Sequence, residues 1–192
     1  MATTTGLDLR NWLLSGKPSG TYFETCPRGE VNIDQAVAAS GVMLTAAIPV
    51  TQGAVLTKVT FAVGATAAST PTHWFVALYG PGATVQPLLV QSADQLTTAI
   101  AANTFVTTSF TTPYTAPTTD VYYIGLSFSG TTAPTLLGKA QGLNATNIIA
   151  FLAAFTTAAP LAQTSGSAVG GVAPATVATP TNVLTVPWCL VQ

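Results

Sequence analysis

The sequence predicts an all-β protein: an antiparallel, jelly-roll-like β-sandwich with an N-terminal arm and a long C-terminal loop. Three observations predict it. From about residue 43 the chain breaks into short runs rich in Val, Thr and aromatic residues, separated by Gly and Pro, which is the spacing of sandwich or barrel strands. Only 33–39 and 147–154 tempt a helical reading, and both are short. At 192 residues the chain is long enough for one well-buried core and short for two, and it has no internal repeat of fixed period.

Taken in order, the first thirty residues concentrate charge. Asp8, Arg10, Lys17, Glu24, Arg28 and Glu30 are six of the chain's eleven charged residues, five Lys/Arg and six Asp/Glu. That clustering separates an arm, 1–40, from a sandwich domain, 41–192. Within the arm, 7–14 has the pattern of a short helical turn carrying Leu9, Trp12 and Leu13, and Gly16, Pro18 and Gly20 break any continuation. Two roles stand open for it: docking onto a neighbouring molecule, or covering its own domain. The 33–39 stretch reads as a two-turn helix or a loop.

Strands are expected at 43–51, 56–63, 72–79, 88–91, 104–110, 120–128 and 186–191. In Lys58-Val59-Thr60-Phe61-Ala62-Val63, alternation places Val59, Phe61 and Val63 on one face. In the run from His73 to Tyr79, Trp74, Val76 and Leu78 share one side and His73, Phe75, Ala77 and Tyr79 the other, so a central strand covered on both faces is expected. Gly80-Pro81-Gly82 should turn a hairpin. Pro113-Tyr114-Thr115-Ala116-Pro117 should end the strand through Phe110, because proline donates no hydrogen bond to a ladder. The 147–154 stretch is a short helix or another buried strand. Residues 163–182, mostly Ser, Gly, Pro, Ala and Thr, read as a long irregular loop, either a flexible linker or a segment pressed against a partner, before the closing strand at 186–191.

Composition excludes several functions. A near-zero charge balance offers no basic surface for nucleic acid. The longest apolar run, from Ile148 to Phe155, falls far below the roughly 20 residues that cross a bilayer. The N-terminus shows no basic start, apolar stretch and small-residue cleavage site, so no secretory signal is expected and the protein should be made in the cytoplasm. Weak colloidal repulsion favours life inside an assembly. Cys26 and Cys189, near opposite ends, either form a bridge or remain two partly buried thiols.

Chemistry is sparse. His73 is the only histidine; a catalytic triad would need one of Asp8, Asp34, Asp94 or Asp120 to orient it, and no Gly-x-Ser-x-Gly motif is present. No spacing singles out a glycosidase carboxylate pair, and neither a zinc ligand set nor a calcium loop nor a phosphate cradle is recognisable. The Asn144-Ala145-Thr146 sequon would matter only in a secretory pathway. The expectation is therefore a protein with no enzymatic activity, cofactor or metal. What remains is surface recognition, for which the candidate partner contacts are Arg10, Trp12, Tyr22, Arg28 and Tyr114, on the arm and a turn; strand aromatics are assigned to the core.

The stretches Leu56-Thr57-Lys58-Val59-Thr60-Phe61, Ala67 through Tyr79, Pro113-Tyr114-Thr115 and Val121-Tyr122-Tyr123-Ile124-Gly125-Leu126 resemble β-sandwich modules in virion proteins of tailed bacteriophages, especially those infecting actinobacteria, known as minor tail, tail-fibre or head-decoration proteins. The resemblance spans about 45–137, lies in packing and turn residues, and transfers no active site. It implies a virion location, with assembly in the host cytoplasm and release by lysis. The expected role is capsid decoration or a head fibre (a minor capsid protein), with a major capsid or tail protein as partner and a homo-oligomer, trimeric in one arrangement. The competing expectation is a tail-fibre or minor tail protein that binds host-surface glycans. A carbohydrate-binding module of a bacterial enzyme comes third.

Overall fold

The computed structural model of the protein describes residues 22–36, 40–82, 85–140, 161–177 and 180–192. In chain order the strands are β1 (Phe23–Glu24), β2 (Ile33–Ala36), β3 (Val42–Val50), β4 (Val55–Ala62), β5 (Ser69–Tyr79), β6 (Leu88–Gln91), β7 (Phe105–Thr115), β8 (Asp120–Thr132), β9 (Thr135–Ala140), β10 (Ala162–Ala168), β11 (Thr181–Asn182), β12 (Thr185–Pro187) and β13 (Cys189–Val191), with one 3-10 turn at Arg28–Glu30. All the pairings are antiparallel, and the fold is an all-β sandwich. A six-stranded sheet runs β11-β10-β3-β8-β5-β6, a four-stranded sheet β1-β13-β4-β7, and a three-stranded sheet β12-β9-β2.

The alternation in β4 and β5 creates the core between the two larger sheets. Val59, Phe61 and Val63 from one sheet meet Trp74, Val76, Leu78, Ile124, Leu126 and Phe128 from the other. Phe61 stands edge-on to Trp74 and Phe128, at centroid distances of 6.1 and 5.7 Å, a geometry that adds quadrupole attraction to the apolar burial. β5 is flanked by β8 and β6 and covered on both faces, as its double-sided pattern predicts. The turn at Gly80 also holds: β5 and β6 form an antiparallel pair, closed by Gly80 N–H on the Pro87 carbonyl at 2.7 Å.

Three boundaries differ from expectation. Residues 22–36, assigned to the arm, belong to the sandwich: β1 pairs with β13 and β2 with β9, because Phe23 inserts into the main core and Gln35 is buried. The alternative of a helix at 33–39 gives way to β2; 37–39, the turn at 7–14 and the 147–154 stretch lie outside the described residues. The strand through Phe110 does not end at Pro113. Register jumps from Lys58↔Ser109 to Leu56↔Tyr114, so Pro113 falls in an irregular segment of an edge strand, where its missing N–H costs no ladder bond. Finally, the 163–182 loop contains most of strand β10, which pairs with β3 and, at the loop's end, with β11, with Gln163, Ser165 and Thr45 buried beside one another. Low complexity hid it, since polar and small residues satisfy a pleat when their hydroxyls and amides are bonded.

The closing segment divides. β12 joins the three-stranded sheet and β13 the four-stranded one, with Trp188 between them donating its N–H to the Leu137 carbonyl at 2.9 Å.

Candidate docking surface

The two large sheets treat their outer faces differently. On the six-stranded sheet, Met43, Ala47, Phe75, Ala77, Tyr79 and Tyr123 point away from the main core, and residues 169–177 lie over them, contributing Ala173 and Val177 to a second apolar cluster. This strap is tied down along its length. Ala173 N–H bonds Gln91 Oε1 at 2.9 Å, Tyr79 Oη–H bonds the Pro174 carbonyl at 3.1 Å, and Leu88 N–H bonds the Ala175 carbonyl at 2.8 Å. Burial raises the Tyr79 phenol, and burial with the Asp120 charge raises Tyr123 to about 12.

At the strap's edge the one histidine finds an acid. Of the four aspartates considered for it, Asp94 is the partner: His73 Nδ1–H donates to Asp94 Oδ2 at 2.5 Å, while Trp74 and Leu96 N–H donate to Oδ1 at 3.2 and 3.1 Å. Burial pushes the Asp94 carboxyl up, but these donated bonds outweigh it and hold the group below its ordinary value. Ser129 stands opposite His73 in register, yet no hydrogen bond joins them among the described residues. The arrangement orients an imidazole without assembling a nucleophile. Among the described residues no group of three or more His, Cys, Asp or Glu is placed to hold a metal ion, and no helix is long and apolar enough to cross a membrane.

The four-stranded sheet is different. Since Val59, Phe61, Val106, Thr108 and Phe110 face inward, Thr60, Phe105, Thr107 and Ser109 face outward. Register aligns Glu24, Leu190, Thr60 and Thr107 in one row across four strands, with the Thr60 and Thr107 hydroxyls bonded at 2.8 Å. Phe105 leaves 71% of its surface exposed, and its ring rests edge-on against Trp188 at 5.8 Å.

Arg28 completes this corner. Its Nε and Nη2 both donate to Glu24 Oε1, at 2.8 and 2.6 Å, and its guanidinium lies 6.0 Å from the Trp188 ring centroid. Glu30, on the same 3-10 turn, pairs with Lys139 at 3.2 Å. Four of the eight charged side chains among the described residues are thus paired here. Two buried polar atoms remain without a partner beside the guanidinium, Glu24 Oε2 and Trp188 Nε1.

Of the five predicted contact residues, Arg28 is placed at this corner and Tyr22 lies half-buried beside β1. Arg10 and Trp12 lie outside the described residues. Tyr114 is not on a turn: it sits in β7, packs against the main core and stands edge-on to Tyr122 at 6.3 Å. It pairs with Leu56 whereas Phe105 pairs with Ala62, six residues along β4, so the two lie roughly 20 Å apart. Sequence reasoning did not single out Phe105; it assigned Trp188, with the strand aromatics, to the core, and Trp188 is buried in a cluster with Cys26, Ala62 and Val186. The signal for Phe105 was present, since it shares its face with Thr107 and Ser109 while Val106, Thr108 and Phe110 take the apolar side.

The cysteines lie beside this corner, both free and buried. Thr25 N–H bonds the Cys189 carbonyl at 3.1 Å and Cys189 N–H bonds Thr25 Oγ1 at 2.9 Å. Burial pushes the Cys26 thiol up to about 11 and that of Cys189 higher still.

No protein-family model matches the chain, and no curated protein sequence matches it.

Proposed function

We propose that this protein is a structural component of a tailed-phage virion, a capsid-decoration or head-fibre (minor capsid) protein that docks on the particle surface and performs no catalysis. The observation that carries this reading is the contrast between the two sheet faces. One is covered by the chain's own strap, and the other presents an exposed aromatic, hydroxyl groups and paired charges next to the point where residues 1–21 join the sandwich. Docking residues of this kind, an aromatic and an arginine at the centre with polar groups around them, carry most of the energy of protein interfaces. A charge-poor surface suits burial between virion subunits, including copies of this chain in a homo-oligomer.

A second reading, a tail-fibre or minor tail protein that binds host-surface glycans, is favoured by the same exposed Phe105 beside the Thr107 and Ser109 hydroxyls. Gold-antibody labelling of intact particles, viewed beside tail-less heads, separates the two. Label over heads is the expected result, label confined to tails transfers the role to adhesion, and particles without label overturn the virion reading.

A further inference from the structure

The structure assigns a carbohydrate-binding site to the Phe105–Trp188–Arg28 corner, with a hydroxyl-bearing, uncharged sugar as its ligand. The orphaned atoms set the chemistry. Trp188 is 7% exposed and its Nε1–H has no acceptor; the Glu24 side chain is 4% exposed, with Oε1 taken by Arg28 and Oε2 without a donor. Leaving a buried donor and a buried acceptor unmet is costly. The hydroxyl groups of a sugar meet both needs, since a hydroxyl accepts from an indole N–H and donates to a carboxylate, which neither a cation nor an anion does.

The rim fits the same ligand. Phe105 offers a ring face for the apolar side of a pyranose, and the outward hydroxyls of Thr107 and Ser109 continue along β7. Arg28, with 41% of its side chain exposed, bonds the Glu24 carboxylate and lies 6.0 Å from the Trp188 ring centroid. Turning it aside admits the sugar and frees guanidinium donors for the ring hydroxyls. Because the charges at the rim among the described residues are already paired, the site is matched to a neutral saccharide.

This inference deepens the glycan-binding reading of Phe105 and does not rest on the capsid-decoration one. It is tested with the full chain on an array of neutral hexose and N-acetylhexosamine oligosaccharides, followed by calorimetric titration of any saccharide retained. Phe105→Ser and Glu24→Gln should each weaken binding at least tenfold while Thr57→Ala, on an exposed position of the same sheet, leaves it unchanged. Melting curves show whether Glu24→Gln still folds, and Phe105→Ser, at a position 71% exposed, keeps the test valid if it does not. Retention of no neutral saccharide at millimolar concentration, or binding that survives Phe105→Ser, overturns the site. Immunogold labelling that fails on particles would overturn the virion role and leave this result standing.

Discussion

Asp94 accepts a 2.5 Å hydrogen bond from His73 directly beneath the backbone of Gly171. A Cβ at residue 171 would clash with Asp94 Oδ2 and lie 2.7 Å from His73 Nδ1, so the strap rests on the hydrogen-bonded pair with no room for a side chain. The strap's position and the pair's geometry are therefore coupled.

Asp94→Asn should destabilise the fold by about 1–3 kcal/mol at neutral pH, the cost of degrading a charge-assisted, multiply bonded carboxylate. The folded-state pKa lies below the unfolded value of 3.8, so the stabilisation is present above the unfolded value and is lost as pH falls through the folded one. Urea unfolding of both proteins at pH 7 and near pH 2 checks this. The gap between them should narrow in acid, and an equal gap at both pH values would remove the carboxylate as its cause.

Gly171→Ala should cost about 1–3 kcal/mol through overpacking against the pair. Hydrogen exchange should quicken in 169–177 and stay unchanged in β3 and β8. A mutant with wild-type exchange would show that the strap does not bear on the pair.

The two buried tyrosines of the outer face should behave oppositely. Tyr79→Phe loses the bond to the Pro174 carbonyl and should lower stability by about 0.5–1.5 kcal/mol. The Tyr123 hydroxyl is buried without a partner, so Tyr123→Phe should be neutral or slightly stabilising. Chemical denaturation of the two variants side by side decides, and equal losses would mean that Tyr123 has a bonding partner after all.

Cys26 and Cys189 should resist alkylation in the native protein at pH 8 and react fully once denatured. The thiolate is the reactive form, and a pKa raised from 9.0 to about 11 lowers its population at Cys26 roughly a hundredfold. A thiol count in denaturant gives two if both are free, whereas a count of zero would establish a bridge.

How far the sequence speaks depends on the kind of residue. Apolar alternation placed Val59, Phe61, Trp74, Val76 and Leu78 correctly, because a period of two leaves only one face for the core. β10 stayed hidden because Gln163, Ser165 and Thr45 stabilise it through polar bonds that leave no hydrophobic pattern. β9 was likewise unforeseen, with one fully buried leucine, Leu136, in its short alternating run. Arg28 was singled out as a candidate contact from its position on a charged segment, and the structure places it at the corner beside Glu24 and Trp188. Its partners Glu24, Trp188 and Phe105 were not singled out, since they reach it from β1, the β12–β13 junction and β7, and only tertiary register brings those together.

The pairings made by residues 185–191 set the order in which the protein is able to acquire its structure. β13 bonds to β1 through Phe23↔Val191 and to β4 through Cys189↔Phe61, while β12 bonds to β9. These strands emerge from the ribosome after every strand they complete, and the chain between Phe23 and Val191 must close as one very large loop. Such high contact order places the folding barrier late and makes it slow, in the millisecond-to-second range of all-β domains. Until synthesis reaches this segment, β4 and β9 each present an unpaired flank to other nascent chains, so the time spent waiting for the last strands is the interval in which aggregation competes with folding.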